Sequence, residues 1–376
     1  MIVDLPSTTT QLVTARMVLL REEVGAMALT RVLTLVIPCE EAGVEDAISV
    51  AMDASRQHPC RIVVVATANR RGSTRLDAQI RIGGDAGASE VIILRLYGPL
   101  AEHGRSVVTP LLLADSPIVA WWPGAVPDNP SADPIGEMAQ RRITDAAFEC
   151  RRPTAVLERL ATAYQPGDTD LAWGRVTRWR GLLAATLDQA PFEPVLRATV
   201  VGAPDSPSAD LLAGWLASRL KCPVTVARSQ QRTGIVSVRL ERKSGNIDLV
   251  RPVDGNVGTL TQAGQPQRTI SLAHRSDAEC LADELRRLDP DEVYAAALVD
   301  GLSHVGSRRL SASAAVRAGE APSPVQAERD VARIRRAARA AVAGGGRRKP
   351  DPSAPPPSAA TIKKVTARRL PKGGTA

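Results

Sequence analysis

The sequence predicts an α/β protein: an N-terminal domain of β-α-β type with a mixed sheet over residues 1–191, a smaller α+β domain over 192–305, and a disordered basic tail over 306–376. Three observations predict this. At 376 residues the chain outgrows a single hydrophobic core. Apolar, strand-like runs alternate with amphipathic helical stretches. Beyond His304, Gly344-Gly345-Gly346, Pro355-Pro356-Pro357 and dispersed Arg and Lys leave almost nothing to bury, apart from a possible helix over 324–342.

The elements follow in order. Thr8 to Glu23 places Leu12, Val13, Met17 and Leu20 at helical spacing. Residues 31–37 read as a buried strand, 43–56 as a crossover helix and 61–65 as the parallel strand it leads to. Strands over 76–82 and 90–96 flank Gly83-Gly84-Asp85-Ala86-Gly87 and form a hairpin. Pro99 opens a helix to Leu113, and Pro117 to Trp122 is a further strand. A short strand near 142–147, a helix over 153–164 and a long helix over 169–189 complete the first domain. The second has a strand (196–202), a helix (208–220), strands at 224–227, 234–241, 246–250 and 258–261, and helices at 276–288 and 291–301.

Charge is divided unevenly. Residues 306–376 carry 16 Lys and Arg against four Asp and Glu, so the overall +8 resolves into a tail of +12 and a body of −4. Nucleic-acid binding is therefore at most a property of the tail. No apolar run approaches the roughly 20 residues that span a bilayer, and the N-terminus shows no secretory signal, which makes the cytoplasm the expected location. The five cysteines (Cys39, Cys60, Cys150, Cys222 and Cys280) follow neither a disulfide framework nor a zinc spacing, and His58-Pro59-Cys60 lacks a partner pair, so no metal is expected.

The chemistry of catalysis is thinly supplied. The first strand leads into Pro38-Cys39-Glu40-Glu41 rather than a glycine-rich phosphate turn, and those carboxylates would repel a pyrophosphate, so no cofactor is expected. The body holds four histidines and two lysines, and it contains no nucleophile elbow, metalloprotease helix or P-loop. Asp168 and Asp170 sit where a helix begins and are explained by capping. Tryptophan clusters in a chain that is only 3% aromatic: Trp121 and Trp122 point to opposite faces of a strand, which puts at least one of them near a sheet face or rim rather than deep in one core. Trp173 and Trp179 share a helix with Arg175, Arg178 and Arg180, and Trp with Arg is the composition of protein–protein hot spots.

Met1-Ile2-Val3-Asp4-Leu5-Pro6, Arg31 to Leu35, His58-Pro59, Gly83-Gly84-Asp85, Ala120-Trp121-Trp122-Pro123, Arg142-Ile143-Thr144-Asp145 and Gly167 to Trp173, taken in this order over residues 1 to 305, resemble the OpcA family. These are bacterial glucose-6-phosphate dehydrogenase assembly proteins. The resemblance implies a non-catalytic partner of glucose-6-phosphate dehydrogenase that promotes its active oligomer or raises its activity, serving NADPH production in the oxidative pentose phosphate pathway. Partner contact is then expected at Trp121, Trp122, Asp168, Asp170, Trp173, Arg175 and Arg178. The rival reading is a sugar-phosphate-binding protein or enzyme that uses arginines near Gly83–Gly87 as an anion site.

Overall fold

Four residues of half-exposed backbone, Ile2–Leu5, form β1, an edge strand too short to announce itself by periodicity. In this computed structural model, residues 1–23, 32–56, 58–82, 90–148, 153–204, 206–229, 234–252 and 255–309 are described, all within the compact unit Met1–Ser323. The Gly83–Gly87 turn and the tail beyond Arg309 lie outside these residues.

Helix α1 (Thr10–Glu23) buries Val13, Met17 and Leu20. Strand β2 (Leu33–Glu40), helix α2 (Val44–Ser55) and strand β3 (Cys60–Thr67) make the expected β-α-β unit, with β2 and β3 parallel. Strands β4 (Arg75–Arg81) and β5 (Glu90–Tyr97) pair antiparallel as the hairpin. The helix expected from Pro99 to Leu113 is fragmented into a 3-10 turn (Gly98–Glu102), α3 (Gly104–Val108) and a second 3-10 turn (Thr109–Leu111). Pro110 cannot donate an intrahelical hydrogen bond, and Gly104 weakens the helix before it.

Strands β6 (Ile118–Trp121), β7 (Arg141–Thr144) and β8 (Asp168–Asp170) then extend the sheet in parallel, with α4 (Pro153–Ala163) between the last two. The eight strands run β1-β4-β5-β3-β2-β6-β7-β8. The single long helix expected over 169–189 is instead two, α5 (Leu171–Arg175) and α6 (Thr177–Leu187), because Val176 leaves helical geometry at φ −93° and ψ 1°.

The second sheet starts with β9 (Arg197–Gly202) and is joined by α7 (Pro207–Leu220), capped by Ser206, to the parallel strand β10 (Val224–Arg228). Strands β11 (Ile235–Glu241), β12 (Ile247–Val250), β13 (Val257–Gln262) and β14 (Arg268–Ser271) form an antiparallel meander. Helix α8 (Asp277–Arg286) opens on a capping box between Ser276 and Glu279, and α9 (Glu292–Ala295) continues as a π turn (Ala296–Gly301). Strand β15 (Val305–Arg309) runs parallel beside β10, so residues 306–309, expected to begin the tail, are part of the sheet. The order is β14-β13-β12-β11-β9-β10-β15.

The cores are interlocked. One face of the first sheet packs α2 together with Cys280, Leu281 and Leu285 of α8, contributed from far along the chain. The other face is covered by α1 and the short turns after β5. Conversely, α4, α5 and α6 join α7 in packing the second sheet. The π turn presses onto α7 so closely that a Cβ on Gly214 would lie 2.4 Å from the Ala297 carbonyl oxygen, and one on Gly301 would lie 2.0 Å from that of Gly214. Among the described residues, no helix is long and apolar enough to cross a membrane.

Candidate functional site

Two linked features surround α5. The first lies at the C-terminal ends of the parallel strands β6–β8, the edge at which open α/β sheets place their ligands. Asp170 ends β8 and caps α5: one carboxylate oxygen accepts from the Ala172 amide at 2.8 Å, the other from the Thr144 hydroxyl at 2.7 Å and the Ala146 amide at 2.9 Å. The group is sealed from solvent, and this burial, with the nearby Asp145 charge, pushes its carboxyl up to about 7. Asp145 is gripped by Arg175 through two hydrogen bonds of 2.8 and 2.6 Å, and Arg175 also reaches Asp277 of α8 at 2.7 Å. Burial alone would lower the Arg175 pKa, but the two carboxylates prevail and raise it. Asp168 is ion-paired to Arg142 and accepts from the Gln165 amide at 2.7 Å. Together these bonds tie β7, β8, α5 and α8 into one frame.

The second feature is a cleft of about 900 Å³ beside α5 and α6, walled by Trp173, Arg180, Trp215, Arg141 and the segment from Asp283 to Val293. The Trp173 indole donates to Asp291 at 2.8 Å, while the other oxygen of Asp291 accepts from the Val293 and Tyr294 amides at 2.9 Å and caps α9. Arg180 lies over the Trp173 ring, 3.5 Å from its centroid. Its Nη2 donates to the Thr177 hydroxyl at 3.2 Å, its Nε is buried without a partner, and it forms no ion pair among the described residues. Burial lowers its pKa to about 10. At the floor, Arg141 pairs with the buried Glu284 and donates to the Asp289 carbonyl at 3.0 Å. The cleft brings four arginines (Arg141, Arg180, Arg286 and Arg287) and five carboxylates (Asp283, Glu284, Asp289, Asp291 and Glu292) together beside Trp173 and Trp215. Three of the acids are already engaged by other groups, which leaves Arg180 and Arg287 without an ion-pair partner among the described residues. Among the described residues, no group of three or more His, Cys, Asp and Glu is placed to bind a metal.

Comparison with known proteins decides the family. Residues 51–162 match the glucose-6-phosphate dehydrogenase subunit N-terminal domain, and residues 166–298 match the corresponding C-terminal domain, in tandem and in order. The chain belongs to the OpcA family. No curated protein sequence matches this OpcA-family chain. Among solved structures, a 3-ketoreductase from Actinomadura kijaniata in complex with NADP aligns at 8% identity and a TM-score of 0.35, covering 74% of this chain and 99% of that one. A trehalose-6-phosphate structure from E. coli bound with UDP-2-fluoro glucose aligns at 9% identity and a TM-score of 0.23, covering 53% and 65%. Likeness this low carries no argument about either protein's chemistry.

In the OpcA-family chain, the residues singled out from sequence fall into two groups. Trp121 and Trp122 do lie on opposite sheet faces, but each is buried deep in a core, the first under α2 and α8 and the second under α1, because both faces of the sheet are covered. Trp173, Asp168 and Asp170 are likewise buried. Arg175 and Arg178 are half-buried; Arg178 donates to the Ala273 carbonyl at 3.2 Å and lies 3.5 Å from Glu279. Sequence reasoning passed over the two phenylalanines, Phe148 and Phe192, which are 60% and 80% exposed. The signal for Phe192 was present in its flanks, Pro191 and Glu193-Pro194, which keep it out of any helix or central strand.

Proposed function

We propose that this chain is a non-catalytic assembly factor and activator of glucose-6-phosphate dehydrogenase, acting in the cytoplasm in the oxidative pentose phosphate pathway. The observation that supports this reading is the tandem match of residues 51–162 and 166–298 to the two glucose-6-phosphate dehydrogenase subunit domains. Activation by contact requires unequal affinities: the chain binds the competent oligomer of the dehydrogenase more tightly than its inactive form, because only a difference in affinity shifts a population.

The surface we assign to this contact is Phe148 with Arg175 and Arg178. Phe148 follows Asp145 by three residues, Asp145 holds Arg175, and Arg178 lies just past the break at Val176, in the first turn of α6. An exposed Phe with two part-exposed arginines is a composition enriched at interfaces, and the buried Trp173, Asp168 and Asp170 serve as the frame behind it. The test is to measure dehydrogenase activity and oligomer size with and without this chain. A rise in both on addition supports the reading, and unchanged activity and size refute it.

A further inference from the structure

We propose that the cleft beside α6 is a binding site for a small organic phosphate, a phosphate ester carrying a ring, with Arg180 and Arg287 holding the phosphate and Trp215 packing the ring. This goes beyond the dehydrogenase contact and rests on separate residues.

Holding a guanidinium charged while it is partly desolvated costs free energy unless an anion offsets it. Arg180 is in that position: it has one hydroxyl partner, an aromatic face beneath it and no carboxylate within ion-pair distance among the described residues. The acidic side chains around it are committed elsewhere. Glu284 is paired with Arg141, Asp291 serves Trp173 and the α9 amides, and Asp283 pairs with Arg275 and Arg286. Arg287, exposed and also lining the cleft, forms no ion pair among the described residues. An entering anion therefore meets two uncommitted cations and the Thr177 hydroxyl. The exposed carboxylates of Asp289 and Glu292 at the rim suit ligand hydroxyls or ring N–H groups rather than a second phosphate.

Size and walls narrow the ligand further. About 900 Å³ lies within the range of small-molecule sites, and the part-exposed Trp215 offers an indole to a pyranose or a base. Gly181 leaves the α6 wall open, since a Cβ there would meet nothing within 4 Å.

The isolated full-length chain is titrated with a hexose 6-phosphate and with a nucleoside monophosphate, with inorganic phosphate and the free hexose as controls. Thermal shift and intrinsic fluorescence are the readouts. One ester should stabilise the chain saturably and bind more tightly than inorganic phosphate, and the free hexose should do nothing. Which ester wins tells whether the ring is a sugar or a base. Arg180→Met keeps an aliphatic chain over Trp173 and should weaken binding by about tenfold or more, the loss expected for a charged hydrogen bond. Arg287→Gln, at an exposed position that folding does not need, should weaken it several-fold, and Trp215→Phe should remove most of the fluorescence change. The proposal is overturned if neither ester binds more tightly than inorganic phosphate, or if Arg287→Gln and Arg180→Met titrate like the parent. Because no dehydrogenase is present, failure here leaves the assembly reading standing, and success does not depend on it.

Discussion

Asp145 follows the end of β7 and Asp170 ends the neighbouring strand β8, and only Asp145 has a cation to answer it: Arg175 takes both its oxygens, whereas Asp170 is held by two amides and a hydroxyl. The buried acid is thereby left to titrate near neutrality.

The sign of the resulting pH dependence is fixed by linkage. With a folded-state pKa of about 7, above the unfolded value of roughly 3.9, the folded chain holds the proton more tightly. Asp170 therefore contributes stability that is fully present below about pH 4 and is lost as pH rises through 7. Asp170→Asn, which turns an amide donor toward Ala146 or Ala172, should cost about 1–3 kcal/mol at low pH. The gap between variant and parent in urea unfolding should narrow from pH 5 to 8. A constant gap would mean that Asp170 is ionised throughout.

A second acid carries a different burden. Glu90 is fully buried and accepts from Arg21 at 2.5 and 2.8 Å and from the buried Arg61 at 3.1 Å. Glu90→Gln removes the charge that offsets Arg61 and should destabilise the chain by about 3 kcal/mol in chemical denaturation. A change below about 1 kcal/mol would show that the pair is not the keystone of this end of the first sheet.

Two glycines in helices make a matched pair. Gly214→Ala would drive a methyl against the Ala297 carbonyl and should cost about 2 kcal/mol or more, since two backbones must part. Gly181→Ala meets nothing within 4 Å and should instead stabilise α6 by about 0.5–1 kcal/mol. Thermal unfolding of both variants separates close packing from simple helix propensity.

The docking surface is tested by Phe148→Ser combined with Arg178→Ala. Neither side chain belongs to a core, so thermal unfolding should change little, while co-purification with glucose-6-phosphate dehydrogenase should fall at least about tenfold. Full retention of binding would move the interface elsewhere, with Phe192 the next position to change.

The β2-α2-β3 unit was legible in the sequence because its strands are nearly continuous apolar runs and its helix has one apolar face. Strands β1, β14 and β15 were not, since each is four or five residues long, and β1 and β14 alternate only between exposed and half-exposed positions. The alternation at Trp121-Trp122 correctly separated their faces but could not reveal that α8, more than 150 residues later, would roof one of them. The cleft was illegible for a related reason. Its walls come from β7, α5, α6, α7 and the stretch from α8 to α9, and the lack of a counter-ion at Arg180 is a fact of three-dimensional neighbourhood rather than of spacing.

The exchange of helices between the two sheets makes each half of the chain a chaperone for the other. A fragment ending near residue 191 would leave the α2 face without the Cys280, Leu281 and Leu285 that seal it, and would present α4, α5 and α6 with no sheet to rest on. Produced separately, the two pieces should be insoluble or molten. Produced together, they should reconstitute as a non-covalent pair that melts in one transition, behaving as an obligate heterodimer that happens to be encoded as a single polypeptide.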